Sequence, residues 1–200
     1  RRRGNRNQAD LIFGAHNKVL FSVPIVSEKV RMLYQERQIK VRHDHVLSAI
    51  NPEKRVASFQ TPTGIAEIQY DFINVVPPMR AAEAVRNSPL RWQDGPFAFD
   101  GWMEVDKGTL RHRRFPNVFG IGDTAGVPKG KTAASVKWQV PVAVDHLIAT
   151  IEGKTSPLIY TGYTSCPLIT RLGRAMLVEF DYQDNLVPSF PGVIAPLEEL

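Results

Sequence analysis

The sequence predicts an α/β fold from two patterns in its N-terminal part. A helical pattern at residues 22–38 lies between strand patterns at residues 9–15 and 39–42, and together they predict a βαβ unit. Short strand patterns separated by proline-containing turns follow and predict an antiparallel meander. The C-terminal part adds a Gly-rich strand end and a long helical pattern, so the chain mixes both element types throughout.

The βαβ unit begins with the run Ala-Asp-Leu-Ile-Phe-Gly-Ala at residues 9–15, which is typical of a buried strand. Ser22 is a suitable N-cap for the helix that follows, and Pro24 is tolerated in a first turn. The apolar face of this helix is formed by Val26, Val30, Leu33 and Tyr34. The period then returns to an extended pattern at residues 39–42.

The meander is predicted to contain strands at residues 45–50, 55–60, 65–70 and 72–76. Its turns are marked by Asn-Pro-Glu-Lys and Thr-Pro-Thr-Gly, the strongest hairpin signals in the chain. The last strand runs into Pro77 and Pro78, so we expect it to leave the meander and to end rigidly at a sheet edge.

The C-terminal part is predicted to open with a weak helix at residues 80–90 and an aromatic loop at residues 91–101 that crosses between domains. A much longer helix is predicted at residues 132–153, where Pro141 should produce a kink or a broken turn. The apolar stripe of this helix is formed by Val136, Val140, Val144, Leu147, Ile148 and Ile151.

The segment Val-Phe-Gly-Ile-Gly-Asp at residues 118–123 predicts a buried strand that presents Asp123 at the carboxyl edge of a sheet. Glycines allow a ligand to approach the backbone, and the next helix offers its N-terminal amides. A carboxylate accepts hydrogen bonds from sugar or ribityl hydroxyls, so the pattern suggests a flavin dinucleotide. Gly120-x-Gly122 is not the dinucleotide fingerprint, and no other segment supplies it, so the primary phosphate loop is expected outside this sequence.

Composition excludes several classes of function. The formal net charge of +5 is concentrated at the N-terminus and around Arg111, Arg113 and Arg114, but no aromatic residues interleave these arginines, so nucleic-acid binding is not expected. No signal peptide or membrane-spanning run is predicted. The five histidines have no metal-ligand spacing, and a single cysteine excludes an internal disulfide or a zinc cluster.

Cys166 is expected in a loop before a C-terminal hairpin, whose strand at residues 175–180 is followed by a turn at residues 181–185. Two interpretations remain open for this thiol. It is either a small buried hydrophobe or a reactive group whose thiolate is stabilised by a cation, for which Lys129 and Lys131 are the candidates.

Four sequence blocks resemble the sulfide:quinone oxidoreductase family. They are Phe115-Pro-Asn-Val-Phe-Gly-Ile-Gly-Asp123, Lys131-Thr-Ala-Ala134, Tyr160-Thr-Gly-Tyr-Thr-Ser-Cys-Pro-Leu168 and Glu179-Phe-Asp-Tyr182. The resemblance covers most of the chain but only the family's C-terminal portion. It implies part of a flavoprotein disulfide reductase fold with two dinucleotide-binding domains. Residues 1–80 would be the second, NAD-like domain, and residues 81–200 the C-terminal part of the FAD-binding domain with the redox-cysteine loop.

The resemblance also implies roles for individual residues. Gly122 and Asp123 would contact the ribityl chain of FAD, and Lys131 and Thr132 would lie at the pyrimidine end of the flavin ring. Pro77 and Pro78 would form the strand edge that faces the ring. Cys166 would be the redox cysteine, which the family pairs through a sulfur bridge with a second cysteine that this sequence does not contain.

The implied reaction oxidises sulfide to persulfide or polysulfide sulfur and passes two electrons through FAD to quinone. The implied partners are sulfide, quinone and the missing N-terminal FAD-binding half, with a bacterial plasma membrane or mitochondrial inner membrane reached through parts outside this chain. The chain alone is expected to be soluble and inactive, because it carries half of a site and does not extend to the family's C-terminal amphipathic helices.

Three alternatives remain open. A type II NADH dehydrogenase would be a flavin-dependent relative, but the segment Gly-Ala-His-Asn-Lys after the first strand contains no Gly-rich loop for a nicotinamide dinucleotide. A flavocytochrome sulfide dehydrogenase subunit is a second relative. A non-catalytic nucleotide-binding-like domain is the third, and flavin content would distinguish it.

Overall fold

The computed structural model describes residues 4, 6–191 and 197, and the chain divides into two compact units, Arg1–Val76 and Pro77–Leu200. Parallel and antiparallel strands and helices are both present, so the α/β class is confirmed. Most of the arginine-rich N-terminus lies outside the described residues.

The first unit opens with the predicted βαβ arrangement. Strands β1 (Leu11–Gly14) and β2 (Ile39–Arg42) pair in parallel, and helix α1 (Pro24–Glu36) connects them. Pro24 occupies the first turn as expected, but Val23 is the N-cap residue and no side chain caps the helix, so the assignment of Ser22 was wrong. Val26, in the first turn of α1, is fully buried and anchors the helix.

The meander has three strands, not four. Strands β3 (Val46–Asn51), β4 (Val56–Thr61) and β5 (Gly64–Gln69) form an antiparallel sheet. The predicted strand at residues 72–76 does not form, and residues 71–82 are irregular. Phe72 is 86% exposed, so the segment at residues 72–76 does not cover a core. Among the described residues it also pairs with no strand, and an extended segment needs such packing to be stable.

The main core cluster of the second unit is formed by segments outside its strands. A four-residue helix, α2 (Glu83–Arg86), replaces the predicted weak helix at residues 80–90. Isolated bridges join the segments around residues 91, 103–105, 111–112, 119 and 125. The buried core cluster consists of Met103, Val105, Leu110, Ala125, Val127, Val142, Ala143 and Tyr160.

Helix α3 (Ala133–Ile151) confirms the long helix, and Thr132 caps it by accepting a hydrogen bond from the Ser135 amide at 3.2 Å. The helix remains continuous through Pro141, so no broken turn is present. Most of its apolar stripe is exposed. The buried side chains of α3 are Ser135, Gln139, Val142, Ala143 and Ala149.

The C-terminal hairpin pairs β6 (Thr164–Arg171) with β7 (Arg174–Phe180). Cys166 is therefore in a strand, and the prediction of a loop was wrong. The hairpin turn lies at residues 172–173, between β6 and β7, and not after β7. The predicted turn at residues 181–185 also forms, and it brings Leu186 back to Phe180.

Packing in the second unit leaves no room for a side chain at Gly126. A Cβ atom at Gly126 would lie 2.2 Å from Trp92 Nε1 and 2.7 Å from the Met103 carbonyl oxygen. We expect Gly126→Ala to lower the free energy of unfolding by about 3 kcal/mol, because overpacking forces the backbone to shift. Gly173→Ala is the control, since Gly173 (φ 74°) has open space around it and loses only about 1 kcal/mol to backbone strain. Equal losses in denaturant titrations would contradict the packing argument.

Candidate functional site

The loop that carries the predicted flavin residues is fixed to helix α3 by one buried amide. Gly122 begins a 3-10 turn, Gly122–Thr124, with a positive φ of 63°. Its amide donates to Gln139 Oε1 at 2.6 Å, and Gln139 Nε2 donates to the Gly130 carbonyl at 3.0 Å. Gln139 is fully buried, so these two bonds hold both ends of the loop against the helix without competition from water.

Lys131 closes the same loop from the other side. Its ammonium donates to the carbonyl oxygens of Asp123 at 2.8 Å and Ala125 at 2.6 Å, and it lies 3.5 Å from the centroid of the Trp102 ring. Burial lowers the pKa of Lys131 to about 8, although the carboxylates of Asp123 and Asp100 oppose that shift. An ammonium has three hydrogens, and after both carbonyls are served the third is available to the face of the Trp102 ring.

Asp123 is held by its backbone and leaves its carboxylate open. The residue is exposed, and within the described residues its side-chain oxygens make no hydrogen bond or ion pair. Because Gln139 and Lys131 anchor the turn, the backbone of Asp123 has a defined position, and its carboxylate keeps free acceptor capacity. Such a group suits a ligand with several hydroxyls.

Four predicted residues therefore lie together, namely Gly122, Asp123, Lys131 and Thr132. Pro77 and Pro78 are exposed in an irregular stretch and do not end a strand, since the strand before them is absent. No hydrogen bond or ring contact within the described part of the chain links either proline to Asp123 or Lys131.

The other glycine of this segment, Gly120, is required by packing inside the unit. A Cβ atom at Gly120 would lie 2.6 Å from Met103 Sδ and 3.0 Å from Val105 Cγ1. That position faces the core, so Gly120 does not offer its backbone to a ligand. At Gly122 the nearest atom to such a Cβ would be Val136 Cγ2, at 3.2 Å.

Cys166 lies half-buried on β6, opposite Val178. Burial raises the pKa of its thiol. Neither candidate lysine acts on it. Lys131 binds the loop carbonyls, while Lys129 donates to Asp184 Oδ1 and to the Asp181 carbonyl. In this chain the thiol is therefore mainly protonated at neutral pH.

A polar cluster around Glu179, on the other face of the hairpin from Cys166, was not predicted. Tyr163 OH and Ser189 Oγ both donate to Glu179 Oε1, and the Ser189 amide donates to Oε2 at 2.9 Å. Burial pushes the pKa of Glu179 upwards, but these hydrogen bonds outweigh it and hold the pKa below its usual value. Glu179 pairs with Ser165, so its charge lies on the face of the hairpin opposite the thiol.

Sequence signals for the missed residues existed but were weak. Glu179 interrupts the apolar run Met-Leu-Val-Glu-Phe, where a charge needs a partner. Ser135 and Gln139 are four residues apart on α3 and so share one face, but neither residue was considered as a site residue. The described residues contain no group of His, Cys, Asp or Glu that could hold a metal ion. None of the described helices has the length and apolar character needed to cross a bilayer.

Comparison with known proteins identifies relatives for almost the whole chain. The chain is 36% identical over 195 residues to the mitochondrial sulfide:quinone oxidoreductase of Mus musculus and 37% identical over 191 residues to that of Dictyostelium discoideum, covering 96% of this chain in both cases. The corresponding protein of Schizosaccharomyces pombe is 34% identical over 95% of the chain. The matched region is the C-terminal part, and the chain spans 41–42% of these relatives' lengths. No family model matches.

These relatives confirm the resemblance drawn from the four sequence blocks. Among solved structures, a chain of the Tetrahymena thermophila mitochondrial ATP synthase superposes with a TM-score of 0.75 at 22% identity, over 88% of this chain and 42% of that one. The reduced CoADR-RHD of Bacillus anthracis gives a TM-score of 0.53 at 12% identity, over 88% of this chain and 31% of that one. At such identities these two structures inform on the fold alone.

The lowered pKa of Lys131 predicts a pH dependence of stability. Between about pH 8 and the ordinary lysine value of 10.5, the unfolded chain holds a proton at this site that the folded chain has lost. The free energy of unfolding should therefore gain a contribution that rises with pH across this window. Denaturant titrations should show that Lys131→Met removes this contribution, whereas Lys137→Met, an exposed change on α3, keeps it. An identical pH slope in wild type and Lys131→Met would contradict the burial of this ammonium.

Proposed function

We propose that the whole protein containing this chain is a flavoprotein that oxidises sulfide to persulfide or polysulfide sulfur and passes two electrons through FAD to quinone. The observation that carries the proposal is the 34–37% identity to sulfide:quinone oxidoreductases over 95–96% of the chain. In this account the chain supplies the ribityl and pyrimidine side of the flavin site and one redox sulfur. The adenine side belongs to the part of the relatives that the chain does not span.

The loop at residues 120–132 offers hydrogen-bond acceptors and a positive charge that suit a flavin. Asp123 would accept hydrogen bonds from the ribityl hydroxyls, and Gly122 would let the chain of the ligand pass close to the backbone. Lys131 would place its positive charge near the pyrimidine end of the ring, where such a charge stabilises the reduced anionic form. Bound FAD would accept electrons from sulfur and release them to quinone.

Thr132 would contribute through the start of helix α3. Its hydroxyl accepts the Ser135 amide and contacts Ser135 Oγ at 2.8 Å, which fixes the first turn. The other amides of that turn are left for a ligand or water, and their partial positive charge favours electron-rich oxygens. Pro77 and Pro78 would approach the ring only through an arrangement of the whole protein.

Cys166 would be the redox sulfur that this chain contributes. Burial raises the pKa of its thiol, so the isolated chain holds it in its less nucleophilic form. Activation would come from the rest of the whole protein, which also has to supply the second sulfur, because this sequence contains one cysteine. We therefore propose that the chain alone does not turn over sulfide.

The exposed stripe of α3 is a candidate wall for the quinone. Val144 is 46% exposed, Ile148 49% and Trp138 51%, and Trp138 packs against Tyr163 with ring centroids 5.4 Å apart. An apolar surface of this kind suits a hydrophobic ring and tail. In the whole protein, parts outside this chain would bring it to the surface of a membrane that contains quinone, which is the mitochondrial inner membrane in the proposed setting.

The role of Cys166 can be tested in the whole protein. Cys166→Ser should abolish sulfide-dependent quinone reduction, because a hydroxyl cannot form the sulfur bridge, while visible absorption shows that flavin is retained. Leu172→Ser in the turn of the same hairpin, where the side chain is 77% exposed, should keep most of the activity. Sustained turnover in Cys166→Ser would reject the assignment, and loss of flavin would show that the cysteine acts on cofactor binding instead.

A further inference from the structure

A basic groove in the second unit is not used by the proposed function. It has a volume of about 550 Å³ and is lined by Arg86, Asn87, Ser88, Arg91, Gln93 and Arg114, together with Pro89. It contains three guanidinium groups and no carboxylate in its lining. We propose that this groove binds the phosphate group, or an equivalent multivalent oxyanion, of a ligand.

Arg114 builds one wall and is largely occupied in doing so. Its Nε donates to Glu104 Oε2 at 2.6 Å, and its Nη2 donates to the carbonyl oxygens of Pro89 at 2.5 Å and Arg91 at 3.1 Å. Glu104 has only 13% of its side chain exposed, so this ion pair is shielded from solvent. Arg114 therefore fixes the position of the segment around residues 89–91 and adds charge beside it.

A buried histidine, His112, joins the segment around residues 89–91 to the segment at residues 114–115 from inside the unit. His112 is 2% exposed, and its Nδ1 accepts hydrogen bonds from the amides of Arg114 at 3.0 Å and Phe115 at 3.1 Å. The proton must then be on Nε2, which donates to the Leu90 carbonyl at 2.9 Å. One imidazole thus ties the backbone of residues 114 and 115 to that of residue 90, so the backbone that carries the groove is fixed.

The remaining donors of the groove point to an anionic ligand. Arg91 is exposed and, within the described residues, has no ion pair and no side-chain hydrogen bond. Arg86 has only a long contact of 3.5 Å with Glu83, and its stem is held against Gly101, where a Cβ atom would lie 2.5 Å from Arg86 Cγ. The Asn87 side chain is also unpaired in the described part of the chain.

Two available guanidinium groups and an amide match a doubly charged oxyanion better than a single carboxylate. Guanidinium forks bind phosphate oxygens in pairs, with both charge and geometry in their favour. The groove is also larger than one phosphate, so it has room for the group to which the phosphate is esterified. Two sources share this chemistry, a soluble phosphate ester and the headgroup of an anionic phospholipid.

Calorimetric titration of the chain with pyrophosphate tests the proposal without sulfide, quinone or flavin, so its outcome is independent of the proposed function. We expect binding that Arg91→Gln weakens by about tenfold, since a charged hydrogen bond is lost. The matched control is Arg174→Gln, an exposed arginine on β7 that removes the same charge outside the groove, and it should change the affinity less than about twofold.

Sedimentation with phosphatidylglycerol and phosphatidylcholine vesicles separates the two sources. Pyrophosphate binding without pelleting supports a soluble phosphate ester. Pelleting with phosphatidylglycerol alone, lost in Arg91→Gln, supports a lipid headgroup. Absence of binding to pyrophosphate and to both vesicles overturns the proposal, and so does an equal loss in Arg91→Gln and Arg174→Gln, which would indicate diffuse charge attraction.

Discussion

The site depends on the buried amide of Gln139. Its two hydrogen bonds join the Gly122 turn to the Gly130 loop across the first turns of helix α3. Without them, a buried N–H and a buried carbonyl would lose their partners, which costs about 1–3 kcal/mol for each group. The loop conformation is therefore coupled to the helix, and residues placed by the loop inherit the rigidity of the helix.

This constraint explains the unusual orientation of α3. The loop backbone lies so close to the helix that a Cβ atom at Gly130 would be 2.6 Å from Gln139 Nε2, which leaves little space for large side chains on that face. Ser135, Gln139 and Ala143 are therefore buried, and the larger apolar residues are turned outwards. One face of α3 positions the candidate flavin residues, and the opposite face remains available for apolar contacts of the whole protein.

Elements that depend on local sequence patterns were predicted correctly. Predictions failed for elements that depend on pairing between residues distant in the sequence. Periodicity was sufficient for α1, α3 and the parallel strands, and Thr132 was assigned correctly at the start of α3 because capping is local. The strand at residues 72–76 was wrong because extended residues also need a partner. Cys166 was misplaced for the same reason, since only the pairing with Val178 shows that its segment is a strand. Gln139 was missed because a glutamine on a helix usually faces solvent, and only the glycine loop gives it partners.

We propose that the carboxylate of Asp123, which this fixed loop presents, holds a flavin in the whole protein. The most direct measurement is the visible absorption of the whole protein after desalting, with wild type compared with Asp123→Ala and with Asp145→Ala on α3 as the control. We expect bound flavin in wild type and in Asp145→Ala, and a large loss in Asp123→Ala because the ribityl hydroxyls lose their acceptor. Equal flavin content in all three proteins, or none in wild type, would contradict it.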